Sequence, residues 1–189
     1  RRVAAGVCPR AWIREHEAEV AELLDTGLDP VTLVAAVPEG VTEKALKRRR
    51  ILAASEYPRL AEDFLKARGF DFTLLRTYGA TEVFPPDDAD LIVDNCATGQ
   101  TLKANHLEVL AELFRSTTRF VVSPKALKDP AKAQTLRELT DVMRSVLEGR
   151  ERVLLEMNVD AAKLEALVKA LPAMKSPTVQ PLHGGGYAV

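Results

Sequence analysis

Apolar runs alternate with polar segments through the first 150 residues of the chain. The run from Val31 to Val37 is almost entirely apolar, which is typical of a central strand covered on both faces. Shorter or alternating runs predict further strands at residues 3–7, 50–54, 70–77, 91–94 and 119–122. The pattern predicts an α/β fold with right-handed crossovers and a ligand site at the carboxyl ends of the strands.

Between these runs, apolar residues recur at helical spacing. The spacing predicts helices over Trp12–Leu24, from the Ser55–Pro58 turn to Gly69, over Leu102–Phe114 and over Ala131–Glu148. The chain up to Gly149 is therefore predicted to alternate between strands and helices.

The pattern changes after Gly149, where we place a domain boundary. Val153–Val159 alternates between apolar and polar residues, Ala161–Ala170 is amphipathic, and Thr178-Val179 begins another predicted strand. Gly184–Gly186 predicts a turn after that strand. This β-α-β-β order predicts a small ferredoxin-like unit, truncated at its C-terminus.

The segment Asp94–Leu102, D-N-C-A-T-G-Q-T-L, carries the clearest candidate chemistry. It lies between a predicted strand and a predicted helix, so backbone N–H groups at the helix start can bind an anion such as phosphate. Thr98 and Thr101 add hydroxyl donors, and Gly99 permits close backbone approach. Asp94 is placed to bind hydroxyl groups of the phosphate carrier. An ordinary crossover with a threonine N-cap fits the same residues, so both interpretations stay open.

Composition narrows the function classes. The chain of 189 residues has a net charge of −1, which gives no indication of nucleic-acid binding, and the basic run Lys44–Arg50 is interpreted as a solvated loop. No stretch approaches the ~18 apolar residues of a membrane span. Cys8, Cys96 and three scattered histidines form no metal-ligand pattern. We therefore expect a cytoplasmic protein that binds neither nucleic acid nor membrane.

Four stretches carry more specific patterns. They are R-I-L-A-A-S-E-Y-P at residues 50–58, Y-G-A-T-E-V-F-P at 78–85, T-G-x-T-L-x-x-N-x-L within 90–107, and P-A-M-K-S-P-T-V-Q-P-L at 172–182. Each pattern alone is weak. In this order and spacing they resemble the ATP phosphoribosyltransferases of histidine biosynthesis, in the long form with a C-terminal regulatory domain.

The resemblance implies an enzyme that joins adenine N1 of ATP to the anomeric carbon of phosphoribosyl pyrophosphate and releases pyrophosphate. It implies Mg²⁺ as a cofactor that accompanies the pyrophosphate. It also implies histidine as an inhibitor bound at the C-terminal domain, and a homo-oligomer, usually a hexamer.

The resemblance further implies a two-lobed catalytic part, built like a periplasmic binding protein with the site in the cleft. Residues 1–30 would belong to the first lobe and residues 31–121 to the second lobe with the phosphoribosyl loop. Residues 122–149 would return to the first lobe, and residues 150–189 would form the regulatory domain. Because the chain opens on Arg1 rather than Met and stops in a predicted strand, we expect an incomplete first lobe and an incomplete regulatory domain.

Roles at the site follow by matching the family patterns. Asp94 matches the carboxylate that binds the ribose hydroxyls, and Glu82 matches a second carboxylate of the same cleft. A surface position in the turn after Gly79 also explains Glu82. The loop for the 5′-phosphate would consist of Ala97, Thr98, Gly99, Gln100 and Thr101.

The inhibitor site would use Glu156, Met174 and Thr178, which match positions that hold the amino group, backbone and carboxylate of histidine. A carboxylate suits an ammonium group, and a hydroxyl suits a carboxylate. A strand-surface role for Glu156 and a loop-capping role for Thr178 stay open as alternatives.

The chain departs from the family at residues 6–12, G-V-C-P-R-A-W, where the family usually has G-[IV]-x-G-x-D-W. Pro9 replaces the glycine and Ala11 replaces the aspartate, which puts the binding of ATP or pyrophosphate at this turn in doubt. A non-catalytic phosphosugar- or histidine-binding regulatory subunit therefore stays open. A phosphoribosyltransferase of the nucleotide-salvage type is weaker, because that type has two adjacent acids and Asn95 follows Asp94 here.

Overall fold

The computed structural model describes residues 3–171 and 177–189. The chain divides into two compact units after Ser145. Among the described residues, no helix combines the length and the apolar character needed to cross a membrane.

Most strands and helices that begin in the first unit have eight residues or fewer, whereas its last helix has 21 residues and continues past Ser145. The strands are β1 (Ala5–Pro9), β2 (Ala21–Asp25), β3 (Val31–Pro38), β4 (Ile51–Ser55), β5 (Phe72–Arg76), β6 (Leu91–Cys96), β7 (Leu107–Ser116) and β8 (Thr118–Val122). The helices are α1 (Arg10–Glu15), α2 (Glu43–Leu46), α3 (Pro58–Arg68), α4 (Gln100–Ala104), α5 (Pro124–Leu127) and α6 (Pro130–Arg150). A 3-10 turn at Thr81–Val83 follows β5.

Strands β3 to β7 form a mixed sheet in the order β5-β4-β6-β3-β7. β4 is parallel to both β5 and β6, whereas β3 is antiparallel to β6 and β7. The carboxyl ends of β4, β5 and β6 therefore lie at one edge of the sheet. The strands predicted at residues 50–54, 70–77 and 91–94 are confirmed with shifts of one or two residues.

Both faces of this sheet are covered, as the apolar run of β3 predicts. On one face, Leu33 and Val37 belong to the same core as Leu65 of α3. On the other face, Val34 belongs to the same core as Leu102 of α4. Since successive side chains of a strand point to opposite faces, the buried positions of β3, Leu33 to Val37, all carry apolar residues.

A second sheet, in the order β1-β8-β2, is antiparallel. Phe120 of β8 forms a separate core with Ala126 of α5 and Leu136 of α6. Ala11 and Trp12 of α1 belong instead to the core of the five-stranded sheet.

The predicted helix over Trp12–Leu24 is wrong. α1 ends at Glu15, Glu17 has a φ of 44°, and the following residues form β2, which pairs with β8. A left-handed backbone at Glu17 cannot continue a right-handed helix. Pairing with β8 then satisfies the backbone groups that a helix would have satisfied internally.

The predicted helix over Leu102–Phe114 is also wrong. α4 ends at Ala104, His106 has a φ of 54°, and the residues after it form β7. β7 pairs with β3 along the whole length of β3. The leucines, alanine and glutamates of this segment favour a helix locally, but pairing in the sheet outweighs that propensity.

The second unit contains β9 (Asn158–Val159), α7 (Leu164–Ala170), β10 (Gln180–Pro181) and β11 (Tyr187–Ala188). Its antiparallel sheet has the order β10-β11-β9. The predicted helix over Ala161–Ala170 is confirmed, with a 3-10 turn as its first three residues. The predicted strand over Val153–Val159 is wrong except at β9, and the strand predicted from Thr178-Val179 begins at Gln180.

Candidate functional site

A cavity of about 320 Å³ opens at the edge of the five-stranded sheet where β4, β5 and β6 end. Its walls are the residue that follows β4, the segment after β5, and the end of β6 with the loop beyond it. The sequence predicts a ligand site at this edge, since loops that follow adjacent parallel strands converge there.

Asp94 lies near the carboxyl end of β6, opposite Val34 of β3. Its Oδ1 accepts the backbone N–H of Asn95 at 2.6 Å and the side-chain amide of Asn95 at 3.2 Å. Asp94 is thus held by two donors of the next residue in its own strand. The side-chain hydroxyl of Thr81, in the segment after β5, also favours the ionised form of Asp94 and lowers its pKa.

Three carboxyl groups line the cavity, those of Glu56, Glu82 and Asp94. Burial is the largest cause that raises the pKa of Asp94, and the charges of Glu56 and Glu82 raise it further. The backbone N–H of Asn95 and the hydroxyl of Thr81 act in the opposite direction, because they stabilise the ionised form. Among the described residues that line the cavity, none is Lys or Arg. This lining suits hydroxyl groups and a developing positive charge.

The loop after β6 leads directly into α4. Gly99 has a φ of +76°, in the left-handed region that favours glycine. Thr98 Oγ1 accepts the backbone N–H of Gln100 at 3.4 Å. Within the described part of the chain, the backbone N–H groups of Thr98 and Gly99 donate to no protein acceptor. They are therefore available to an anion.

The structure brings most of the predicted catalytic and loop residues to one place. Those that line the cavity are Glu82, Asp94, Ala97, Thr98, Gly99 and Thr101. Gln100 is the first residue of α4, is exposed, and is not among the lining residues.

The predicted inhibitor residues belong to the second unit. Glu156 is exposed in the irregular segment before β9, and Thr178 is exposed just before β10. Met174 lies outside the described residues. Between Glu156 and Thr178, both of which are described, there is no hydrogen bond.

Two lining residues, Glu56 and Asn95, carry no role in the prediction from sequence. Glu56 directly follows β4, and β4 lies between β5 and β6 in the sheet. The strand order would therefore have placed Glu56 beside Asp94, but strand order is not readable from the hydrophobic pattern alone. The contacts of the Asn95 side-chain amide depend on which side chains surround it, and the sequence does not show this.

The two departures from the family pattern lie at the start of α1. Pro9 ends β1 and precedes the helix. Ala11 is 1% exposed, and its backbone N–H donates to Ser116 Oγ at 3.0 Å. The side chain of Ala11 is part of the apolar core and does not line the cavity.

The fold and the cavity define a class: an α/β protein that presents a small, polar, carboxylate-lined site at the carboxyl ends of parallel strands. The family model described as ATP phosphoribosyltransferase matches residues 1–145, and the model of the C-terminal domain of the same family matches residues 149–189. The chain belongs to the ATP phosphoribosyltransferase family.

Curated relatives agree with this assignment. The chain is 37% identical over 186 residues to the ATP phosphoribosyltransferase of Pelotomaculum thermopropionicum, which covers 94% of this chain and 64% of the relative. It is 37% identical over 191 residues to that of Desulforudis audaxviator, covering 97% and 65%. The chain thus spans a little under two thirds of the length of these relatives.

Solved structures confirm the fold. A chain of the ATP phosphoribosyl transferase (HisG:HisZ) complex from Thermotoga maritima has a TM-score of 0.71 and 25% identity, covering 78% of this chain and 71% of that one. The predicted fold class, an α/β protein with a periplasmic-binding-protein-like catalytic part and a C-terminal domain, is confirmed.

Proposed function

We propose that the chain binds phosphoribosyl pyrophosphate and takes part in its transfer to ATP, as the first step of histidine biosynthesis. The observation that carries the proposal is the position of Asp94 and the T-G-x-T loop. The loop begins four positions after Asp94 and lines the same cavity, so a carboxylate and a set of N–H and hydroxyl donors face one space. A sugar phosphate needs both kinds of group.

In the proposed reaction, the lone pair of adenine N1 forms a bond to C1′ of the ribose as the bond from C1′ to the pyrophosphate oxygen breaks. The electron pair of the broken bond leaves with pyrophosphate, and the adenine amino group releases a proton to solvent. Because N1 carries its own lone pair, the attack needs no general base. The protein holds the donor and stabilises the positive charge that develops on the ribose.

Within this proposal, the Asp94 carboxylate accepts hydrogen bonds from the ribose hydroxyls. Glu82 faces the same cavity and stabilises the cation-like ribose through its negative charge. The raised pKa of Asp94 supports a binding site, since a carboxyl group whose pKa is shifted by burial and by two neighbouring carboxyl groups in a cavity is typical of functional sites.

The 5′-phosphate would be held by the loop of Ala97, Thr98, Gly99, Gln100 and Thr101. The backbone N–H groups of Thr98 and Gly99 and the hydroxyl groups of the two threonines are the donors. Gln100 would contribute through its backbone, because its side chain is not part of the lining.

We propose Mg²⁺ as the cofactor, carried by the phosphate oxygens of the substrate. Mg²⁺ keeps several waters and commonly binds through substrate phosphates rather than in a cage of side chains. Among the described residues, no group of three or more His, Cys, Asp or Glu side chains is placed to hold a metal ion. When bound, the ion would neutralise the charge of the leaving pyrophosphate, which a cavity lined by carboxylates cannot do.

We also propose regulation by histidine at the second unit, through Glu156, Met174 and Thr178. The family match over residues 149–189 supports a regulatory role for this unit. The proposed site of action is the cytoplasm, consistent with the free thiols of Cys8 and Cys96. The proposed assembly is a homo-oligomer, and a hexamer is the form that the family resemblance implies.

The experiment follows formation of N1-phosphoribosyl-ATP from ATP, phosphoribosyl pyrophosphate and Mg²⁺, with and without histidine. We expect product formation that depends on Mg²⁺ and is slowed by histidine. Loss of turnover in Asp94→Asn, with turnover kept in Asp71→Asn on the exposed surface, would connect the activity to the cavity. No product from the whole chain, with phosphoribosyl pyrophosphate still bound, would contradict catalysis by this chain.

A second candidate is a non-catalytic binding subunit of the same enzyme. The observation that favours it is Ala11, which is a core residue here where the family usually has aspartate. The solved relative from Thermotoga maritima is described as a complex of two kinds of chain, HisG and HisZ. Binding of phosphoribosyl pyrophosphate or histidine without turnover, and turnover restored by a separate partner chain, would favour this candidate.

A further inference from the structure

Asn95 links Asp94 to the buried ring of Tyr57. One hydrogen of the Asn95 amide points to Asp94 Oδ1 at 3.2 Å and the other to the Tyr57 hydroxyl, also at 3.2 Å. Asn95 thus uses both hydrogens of its side-chain amide, one at the carboxylate and one at the phenol.

Tyr57 is in turn fixed on several sides. It is 3% exposed, and its ring centroid lies 4.7 Å from that of Trp12 of α1. Its backbone N–H donates to Ser55 Oγ at 2.9 Å, and that hydroxyl donates to the Val93 carbonyl of β6 at 2.5 Å. The phenol oxygen is therefore held in place, within hydrogen-bond distance of the Asn95 amide, and fixes where that amide lies beside Asp94.

The opposite amide orientation would place the Asn95 carbonyl oxygen against the carboxylate of Asp94. Two acceptors at 3.2 Å repel, and the repulsion is largest when Asp94 is ionised. The carboxylate itself therefore favours the orientation in which the amide nitrogen faces it, and Tyr57 holds the amide at that position. Burial raises the pKa of Tyr57, so its hydroxyl stays protonated and neutral beside Asp94.

We propose that Asn95, held in place by Tyr57, is a positioning residue that keeps the Asp94 carboxylate ionised and ready to accept hydrogen bonds from a ribose. The inference rests on the proposed function for its ligand, phosphoribosyl pyrophosphate. Asn95 itself does not need to touch the reacting atoms.

The groups that face Asp94 explain why its ionised form needs hydrogen-bond donors. Glu56 after β4 and Glu82 after β5 both repel its charge, and Tyr57 is neutral. β3 presents Val34 opposite it, and the loop of residues 97–101 has no charged side chain. None of the described lining residues is a cation that could offset the charges of the two glutamates. In the described part of the cavity, hydrogen-bond donors are therefore the groups that favour the ionised form of Asp94.

The test is the pH dependence of Asp94 in the wild type, Asn95→Ala and Tyr57→Phe, with Asn158→Ala and the exposed Tyr78→Phe as matched controls. Asn95→Ala keeps the backbone donor and removes only the side-chain donor. NMR of ¹³C-labelled aspartate, with the Asp94 signal assigned by its loss in Asp94→Asn, follows the carboxyl group without any ligand. We expect the midpoint to rise by roughly 0.5 to 1 pH unit in Asn95→Ala, by less in Tyr57→Phe, and not in the controls.

The second readout is calorimetric affinity for phosphoribosyl pyrophosphate with Mg²⁺ between pH 5 and 8. We expect Asn95→Ala to bind several-fold more weakly than the wild type at the acid end and nearly normally at pH 8, where Asp94 is ionised in both. An unchanged Asp94 midpoint in both Asn95→Ala and Tyr57→Phe, or equal weakening at every pH, would overturn the inference. Failure of the wild type to bind would overturn the proposed function, while the NMR titration would still decide the role of Asn95.

Discussion

The side-chain hydroxyl of Thr81, in the segment after β5, favours the ionised form of Asp94 at the end of β6 by hydrogen bonding and so lowers the pKa of that carboxyl group. Thr81 is fully buried, and its Oγ1 lies 2.9 Å from Oγ1 of Thr77. The hydroxyl that acts on this candidate ligand-binding carboxylate therefore belongs to a buried pair of threonines.

Replacing Thr81 by valine removes this donor with little change in volume. Because the bond stabilises the ionised form, the pKa of Asp94 should rise further, and binding of phosphoribosyl pyrophosphate should weaken by about three- to tenfold near pH 6. Isothermal calorimetry at pH 6 and pH 8 measures this change. Thr135→Val on the exposed side of α6 is the control, and a loss that is no larger at pH 6 than at pH 8 would argue against the assigned role of Thr81.

Replacing Gly99 by alanine tests whether the loop of residues 97–101 holds the 5′-phosphate. Cys96 Sγ would lie 3.9 Å from the new methyl group, so space is available, but the φ of +76° strains any residue with a Cβ by about 1–2 kcal/mol. We expect the loop to rearrange, and the ³¹P signal of the 5′-phosphate to lose its shift on binding. Gly149→Ala, within α6 and without a positive φ, should leave that signal as in the wild type. A full 5′-phosphate shift in Gly99→Ala would show that the loop is not the phosphate site.

The ion pair of Asp90 makes the free energy of unfolding of the first unit depend on pH in the acid range. Arg49 donates to both of its carboxyl oxygens, at 2.5 and 3.0 Å, and lowers the pKa of Asp90, with help from the backbone N–H of Leu52. A lowered folded-state pKa gives stability that is present above the ordinary value of about 3.9 and is lost as the pH falls through the folded-state value.

Asp90→Asn should therefore lower the free energy of unfolding by about 1–2 kcal/mol at pH 7 and by less near pH 3. Urea unfolding at both pH values measures the difference. Asp71→Asn, an exposed partner of Arg50 at 3.8 Å, should change stability little at either pH. Equal effects of Asp90→Asn at pH 7 and pH 3 would exclude the ion pair as the cause.

The sequence predicted those parts of the fold that depend on local pattern. β3 is apolar at every position but Thr32 because both of its neighbouring layers are apolar, and this can be read directly from Val31 to Val37. Asp94 and Gly99 were predicted as site residues because an apolar strand followed by a Thr/Gly turn is one way to bind a phosphate, although an ordinary crossover fits the same pattern. Each of these signals lies within about ten consecutive residues.

What could not be predicted depends on distant residues. β7 has the composition of a helix, and its strand conformation comes from pairing with β3, about 75 residues earlier. Glu17 and His106 interrupt the two predicted helices with left-handed backbone, which no residue type at those positions announces. The role of Asn95 depends on the buried hydroxyl of Tyr57 beside it, which lies 38 residues away in the sequence.

The central claim is that Asp94 binds the ribose of phosphoribosyl pyrophosphate, and its most direct test is the affinity of Asp94→Asn for that ligand, measured together with stability at pH 7. Because burial and neighbouring carboxylates raise the pKa of Asp94, its charge lowers stability as the pH rises through that pKa, so the neutral amide should leave the protein at least as stable as the wild type. We predict a loss of affinity of roughly 10- to 100-fold, the equivalent of one charged hydrogen bond, with no loss of stability. Wild-type affinity in a stable Asp94→Asn protein would contradict the account.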